Sequence, residues 1–332
     1  MPLKTTLTEM LNIRVPIVQG GMQWVGMAPL VAAISNAGAL GVLTALSQGS
    51  PEGLRQAIRE VRKLTDKPFG VNITILPTIN PPPYDEYAKV IVEEKVPVVE
   101  TAGNAPGKMV QYFKSNGVIT IHKCTTIRHA LSAQKIGVDV VSIDGFECAG
   151  HPGEEDIGGL ILLAQAARQL KIPYIASGGV ADSRGIAMAL AGGAVGVNMG
   201  TRFQCTVESP IHDNVKKAIV AAKHTDTVHI FRTLKNTARV YRNKLAEEVV
   251  KMERRPGGVK FEEIKDMVSG ARGRRVYEDG DIEAGIWTMG TSAGLIDDVP
   301  TCKELIDRLE REVEVILSDM TRILAPPTMA KL

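Results

Sequence analysis

The stretch VDVVSIDGFECAGHPG, residues 138–153, decides the fold. Its first six residues are mostly apolar and β-branched, which is typical of a strand that is buried on both faces. The run ends in an acid, Asp144, and a glycine-bracketed loop follows with His151 in its middle. We interpret the stretch as a buried strand that delivers a titratable group to an open ligand site.

Similar apolar runs alternate with amphipathic segments on both sides of this stretch. The predicted strands are 16–19, 40–43, 69–73, 97–100, 118–122, 138–143, 173–176 and 194–198. The predicted helices are 28–37, 51–64, 84–94, 106–115, 126–135, 157–170 and 183–191. This alternation predicts a (β/α)8 TIM barrel. A doubly wound open sheet is the alternative, but the sequence contains no GxGxxG fingerprint for it.

The rhythm of the sequence changes after the eighth predicted strand. Residues 209–299 are strongly charged and interrupted by glycines, and we predict that they form an inserted helical accessory domain over the barrel mouth. Residues 1–208 are predicted to form the barrel, which a helix within 300–325 completes. The proline-rich segment 77–83 follows the third strand and is either a plain connector or a lid.

The composition restricts the classes of partner. A net charge of +2 and an aromatic content of 4% give no basis for binding nucleic acid or a membrane surface. Four scattered cysteines without a CxxC pair favour a reducing compartment, so we expect a cytoplasmic protein without a structural metal. The ending Ala330-Lys331-Leu332 resembles a peroxisomal address, which is the alternative for a eukaryotic source.

Glycine-rich loops follow the seventh and eighth predicted strands, where TIM barrels usually bind phosphate. They contain Ser177, Gly178 and Gly179 in one loop and Gly200 and Thr201 in the other. Glycine lets the main chain approach an anion closely, so that backbone N–H groups can donate to it. Either loop alone could be a tight turn, but the pair predicts a site for a phosphorylated ligand.

Polar groups end several other strands. Gln23 in the loop after the first strand offers a donor and an acceptor, and Thr74 ends the third strand. Lys123 ends the fifth strand and is either a fixed cation of the site or an ordinary surface lysine. Asp144 can accept hydrogen bonds from sugar hydroxyls, and His151 can exchange a proton near physiological pH. Lys123 and His151 are therefore the candidate catalytic residues.

The motifs around these residues resemble those of the nitronate monooxygenase (2-nitropropane dioxygenase) superfamily, a group of FMN-dependent barrels. The similar segments are 20–24, 71–72, 122–123, 144–151, 176–179 and 200–203. Segments 21–26, 100–104, 142–153, 236–239 and 285–287 are similar to the bacterial FMN-dependent NADH:quinone reductases of this group. Ala149 and Gly150 precede His151, where nitronate monooxygenases usually have two glycines, and this difference favours the reductase subgroup.

The resemblance implies an FMN-dependent oxidoreductase that reduces a quinone with NADH by ping-pong hydride transfer. It implies FMN contacts at Gly21, Met22, Gln23, Thr74, Lys123, Asp144, Ala149, Gly150, Ser177, Gly178, Gly179, Gly200 and Thr201. Pro77 and Tyr277 are candidate NADH contacts. The expected partners are these small molecules and a second copy of the chain in a homodimer.

Other functions remain open at this point. The first alternative is a nitronate monooxygenase that oxidises alkyl nitronates with O2, and the second is the reduction of an enoyl thioester. A flavin-free barrel, such as a phosphosugar lyase or isomerase, and a non-catalytic phosphate-binding module are further alternatives. The presence of a bound flavin separates the first two from the last two.

Overall fold

A computed structural model describes residues 3–75 and 81–323 and contains the predicted closed barrel. Its parallel strands are β1 Ile17–Gln19, β2 Leu40–Thr44, β3 Phe69–Ile75, β4 Val98–Gly103, β5 Ile119–Cys124, β6 Val140–Asp144, β7 Tyr174–Ser177 and β8 Val197–Met199. Each strand pairs with the next along the chain, and β8 closes the barrel on β1 with Ile17 opposite Val197. The (β/α)8 fold is thereby confirmed.

Helices lie between the strands as expected for this fold. They are α2 Ala28–Asn36, α3 Pro51–Leu64, α4 Tyr84–Glu93, α5 Lys108–Ser115, α6 Ile127–Ile136, α7 Gly159–Gln169 and α8 Ser183–Ala191, and the short α9, Thr201–Gln204, follows β8. Side-chain caps fix where several of them begin: Ser50, Thr126 and Asp182 each accept a hydrogen bond from a backbone N–H of the first turn. A 3-10 helix, Ala45–Gln48, follows β2.

The N-terminal helix α1, Thr6–Leu11, was not predicted and lies at the bottom of the barrel. Its Leu7 and Leu11 pack with the apolar side chains of the barrel interior, including Val98 and Ile175. Full burial of one leucine side chain stabilises the fold by about 2 kcal/mol. These apolar side chains fill the lower end of the barrel. A polar site can therefore form only at the opposite end, where the strands have their carboxyl ends.

The segment 209–299 contains helices and also a hairpin that the sequence pattern did not predict. The helices are α10 Asp213–Ala221, α11 Lys244–Glu253, α12 Phe261–Ile264 and α13 Gly270–Asp279, followed by a 3-10 helix, Thr291–Leu295. The strands β9 Thr227–Ile230 and β10 Ala238–Tyr241 form a two-stranded antiparallel sheet. That this segment is a separate domain stays a prediction, because part of it, including Val276 and Trp287, packs into the core around the barrel.

The predicted closing helix is α14, Cys302–Thr321, which packs against α2 and α8. Thr301 and Glu304 form a capping box at its start. Arg14, just after α1, forms ion pairs with Asp307 and Glu310 on α14. These ion pairs link the segment after α1 to the closing helix. Across the described residues, none of the helices combines the length and the apolarity that a membrane span needs.

Candidate functional site

Two cavities meet at the carboxyl-terminal end of the barrel. One has a volume of about 410 Å³ and is lined by the glycine loops after β7 and β8, and we call it the glycine-loop cavity. The other, of about 510 Å³, extends along α6, and we call it the α6 cavity. Both linings contain the same five residues, which are Gly21, Thr74, Lys123, Ala149 and His151. All the FMN contacts implied by the resemblance line one cavity or both.

The glycine loops have a backbone geometry that suits the binding of an anion. Gly178 and Gly179 have φ angles of +82° and +77°, a backbone conformation that residues with a Cβ rarely adopt. A Cβ on Gly178 would lie 2.8 Å from the Cβ of Cys148, so the loop could not pass so closely with another residue there. The Thr201 hydroxyl accepts a hydrogen bond from the N–H of Gly290 over 3.0 Å, which leaves its proton to donate.

The loop after β1 lies on two asparagine side chains. A Cβ on Gly20 would overlap the Asn198 side chain, and one on Gly21 would overlap that of Asn72. The resemblance implied a cofactor contact at Gly21, and the structure shows that the asparagine side chains below also require glycine at both positions. Trp24, in the same loop, has a φ of +66° and its N–H donates to Ser47.

A fully buried acid, Glu100 on β4, lies beneath this loop. One carboxylate oxygen accepts hydrogen bonds from the Gly21 N–H and the Asn72 amide, both over 2.9 Å. The other oxygen accepts from the Asn198 amide over 2.8 Å. No role was predicted for Glu100 from the sequence, although an acid inside an apolar run on a doubly buried strand was an available signal.

Lys123 and Asp144 form an ion pair at the junction of the cavities, with 3.6 Å between Nζ and Oδ2. Burial lowers the pKa of Lys123, but the negative charges of Asp144 and Glu100 outweigh this effect and raise the pKa above its ordinary value. Burial raises the pKa of Asp144, and the ammonium of Lys123 opposes that shift. Lys123 is therefore a fixed cation of the site and not an ordinary surface lysine.

His151 faces the cavities and is oriented by the accessory hairpin. Its Nδ1 lies 3.1 Å from the carbonyl oxygen of Thr237, and a ring that donates there keeps Nε2 as a proton acceptor. His151 is exposed to solvent, yet desolvation by the surrounding protein lowers its pKa, and hydrogen bonds with the backbone of Thr237 and Asn236 oppose the shift. The imidazole is therefore neutral at physiological pH.

The hairpin also holds the loop that carries His151. The backbones of Gly150 and Arg239 exchange two hydrogen bonds as an antiparallel bridge. The carboxylate of Glu154 accepts hydrogen bonds from the N–H and the hydroxyl of Thr237 over 2.7 and 2.6 Å. Sequence reasoning missed these contacts, since each joins residues more than 80 positions apart.

The remaining predicted residues are placed as follows. Tyr277 is buried beside the glycine-loop cavity, and its hydroxyl accepts a hydrogen bond from the Thr288 N–H over 3.4 Å. Pro77 lies outside the described residues. His122 is buried against the Thr101 hydroxyl, and burial lowers its pKa to about 4, so it is neutral. Within residues 3–75 and 81–323, no His, Cys, Asp or Glu cluster is arranged to hold a metal ion.

The residues present fit a phosphorylated, hydroxyl-bearing cofactor with a ring that becomes negatively charged. The glycine loops suit a phosphate, and Lys123 supplies a fixed positive charge. Oδ1 of Asp144 is buried without a hydrogen-bond partner among the described residues, which suits a ligand hydroxyl. The fold and the site together define a cofactor-dependent barrel oxidoreductase.

The chain belongs to the nitronate monooxygenase family of flavin-dependent oxidoreductases. The family model "Nitronate monooxygenase" matches residues 4–95 and 77–312, which confirms the predicted family. The chain is 33% identical to a 5-hydroxy-7a-methyl-1-oxo-octahydro-1H-indene-4-carboxyl-CoA dehydrogenase of Mycobacterium tuberculosis, over 93% of this chain and 96% of that protein. It is 29% identical to a "probable nitronate monooxygenase" of Staphylococcus haemolyticus, over 94% and 98%.

A solved structure is similar over the same length. The structure of FabK from Thermotoga maritima superposes with a TM-score of 0.88 at 38% sequence identity, and the match covers 97% of this chain and 99% of that one. The similarity therefore includes the segment 209–299 as well as the barrel. It supports a flavin-dependent oxidoreductase and leaves the electron acceptor to be argued from the site.

Proposed function

We propose that this protein is an FMN-dependent NADH:quinone reductase. The observation that carries the proposal is the junction of the two cavities, where a fixed cation, Lys123, and a neutral histidine, His151, line both. One cavity has the features of a cofactor site, and the other offers space for a second molecule beside it. Such an arrangement suits electron transfer between a bound cofactor and an exchangeable substrate.

The glycine-loop cavity is the proposed FMN site. The loops around Gly178 and Thr201 would hold the phosphate, and Oδ1 of Asp144, which lines the adjoining α6 cavity, would accept a hydrogen bond from a ribityl hydroxyl. Bound FMN supplies a carrier that takes two electrons from NADH and passes them to a quinone. Lys123 would stabilise the negative charge of the reduced ring, because Asp144 and Glu100 keep its ammonium protonated.

The α6 cavity is the proposed substrate site. Its volume of about 510 Å³ lies in the range of pockets for drug-sized ligands, so it can admit a nicotinamide or a quinone ring in turn. Asn104, Thr125 and Asn236 add polar groups to its wall. Tyr277, one of the two proposed NADH contacts, borders the glycine-loop cavity and does not line the α6 cavity. It therefore lies closer to the proposed cofactor site than to the proposed substrate site.

His151 is the proposed proton carrier for the quinone. Reduction of a quinone to a hydroquinone takes up two protons along with two electrons. The Thr237 carbonyl fixes Nδ1 as the donor, which leaves Nε2 to accept a proton from solvent and to pass it to a quinone oxygen.

The cytoplasmic location and a homodimer stay predictions.

Oxidation of alkyl nitronates with O2 is the second candidate function. It is supported by the similarity to the protein named a nitronate monooxygenase and by the histidine that faces both cavities. The α6 cavity argues for the reductase, because a nitronate of a few carbons would fill a small part of it. The same His151 would then act as the base or the anion-binding group.

One experiment separates these functions. Purified protein is loaded with FMN and mixed anaerobically with NADH, with NADPH or with propionate 3-nitronate while the flavin absorbance is followed. Rapid bleaching by NADH and reoxidation by a benzoquinone are the expected results. Rapid bleaching by the nitronate alone would support the monooxygenase, and reoxidation only by an enoyl thioester would point to thioester reduction. A protein that takes up no flavin would contradict both proposals.

A further inference from the structure

We propose that Glu100 is a positioning residue that fixes the floor of the flavin site and lowers the reduction potential of the bound flavin by its negative charge. The inference rests on flavin binding at the glycine-loop cavity and not on the identity of the electron acceptor. Glu100 does not line either cavity, so it acts through the residues above it.

The geometry places Glu100 one layer below the cofactor cavity. Gly20, Gly21 and Asn198 line this cavity, Asn72 lines the α6 cavity, and the two asparagine side chains lie directly against the two glycines. Glu100 holds both asparagine amides, and it also accepts the Gly21 N–H over 2.9 Å. One carboxylate therefore joins β3, β8 and the loop after β1 and sets the position of the backbone that faces the ligand.

The donors around Glu100 are those that suit an ionised carboxylate. Three N–H groups point at its two oxygens, and an ionised carboxylate accepts such bonds with both oxygens, whereas a protonated one would turn one of them into a donor. Glu100 is fully buried, so little solvent screens its charge. Its field reaches the site, since it helps to raise the pKa of Lys123.

The charges around Lys123 determine the sign of the effect. Two carboxylates, Asp144 and Glu100, act on one ammonium, so this cluster has a net charge of about −1. Reduction of a flavin adds negative charge to the ring, and a negative cluster nearby opposes it. Removal of the Glu100 charge should therefore make the bound flavin easier to reduce.

Two matched substitutions separate the charge from the geometry. Glu100→Gln keeps the shape and removes the charge, whereas Glu100→Asp keeps the charge and shortens the side chain. We expect Glu100→Gln to shift the midpoint potential of bound FMN to a more positive value and to weaken FMN binding about tenfold, because one hydrogen bond becomes a contact between two donors. Glu100→Asp should weaken binding and leave the potential near that of the wild type.

The readouts are the midpoint potential from anaerobic dye-coupled reduction and the dissociation constant of FMN from fluorescence quenching. Neither requires NADH or quinone turnover, so failure of the proposed reductase activity would not affect them. An unchanged or more negative potential in Glu100→Gln overturns the electrostatic part of the inference. A binding constant equal to that of the wild type in both variants overturns the positioning part.

Variants of the two asparagines keep the inference testable if the Glu100 variants do not fold. Asn72→Ala and Asn198→Ala each remove one donor to Glu100 and leave its charge in place. Both should weaken FMN binding while the midpoint potential stays close to the wild-type value. Wild-type affinity in both variants would show that the layer does not position the flavin.

Discussion

Replacement of Lys123 by methionine is the most direct test of the charge arrangement in this site. The substitution removes the ammonium that lies 3.6 Å from the Asp144 carboxylate and retains a side chain of similar length. At an effective dielectric constant of about 20, two unit charges at this distance attract each other by about 5 kcal/mol. Desolvation offsets part of this energy, so we expect Lys123→Met to lower the free energy of unfolding by about 3 kcal/mol at pH 8.

The stability lost in Lys123→Met should depend on pH, and the direction of this dependence follows from Asp144. Burial already raises the pKa of Asp144, and removal of Lys123 takes away the charge that opposes this shift. A group whose pKa is raised by folding stabilises the protein below its unfolded pKa of about 4, and this contribution is lost as the pH rises through the folded value. The stability difference between wild type and Lys123→Met should therefore be larger at pH 8 than at pH 5.

The assay is urea unfolding of the cofactor-free protein at the two pH values, so that ligand binding does not contribute. Lys89→Met is the matched control, because Lys89 forms an exposed ion pair with Glu93 over 3.7 Å and such pairs contribute at most about 1 kcal/mol. The double variant Lys123→Met with Asp144→Asn should recover part of the stability and lose the pH dependence. Equal costs for the two lysine variants, or a cost that does not change with pH, would refute the reasoning.

Three further predictions concern the loops and the frame of the site. Gly178→Ala should cost about 1–3 kcal/mol more than Gly49→Ala in urea unfolding and abolish FMN binding, because both glycines have positive φ but only Gly178 has a neighbour within 3 Å of the added Cβ. His151→Gln should slow quinone reduction at least tenfold without changing FMN affinity, and wild-type turnover should rise as the pH falls toward the lowered pKa of His151, because the imidazolium is the proton donor; His224→Gln, outside both cavities, is the control. Asp298→Asn should destabilise the protein by about 2 kcal/mol at pH 7 and by less near pH 3, because its arginine partners lower the pKa of Asp298 and that contribution disappears as the carboxylate takes up a proton.

The barrel was predictable because its strands are buried on both faces and therefore appear as continuous apolar runs. The strand ends were less predictable: the fifth strand continues to Cys124, so Lys123 lies within β5 and not after it. The hairpin of β9 and β10 escaped prediction because its strands have four residues each and carry His229 and Arg239. Short strands with charged side chains lack the alternation that identifies a strand.

The site residues also differ in how far the sequence could predict them. Those on the strand-end loops, such as Asp144 and Gly178, could be found from position alone, since the carboxyl ends of barrel strands form the site. Glu100 could not be given a role, because its partners Asn72 and Asn198 lie 28 and 98 positions away in the chain. A local pattern can show that an acid is buried, but only the assembled barrel shows which donors satisfy it.

The orientation of His151 shows that the barrel and the segment after residue 208 form one functional unit. The imidazole is held by the Thr237 carbonyl, and the loop beneath it is held by the bridge between Gly150 and Arg239. A chain ending at residue 208 would keep all eight strands and both glycine loops but would lose every one of these contacts. It would also lose the Gly290 N–H that orients the Thr201 hydroxyl, so the anion-binding glycine loops and the proton carrier both depend on residues after 208.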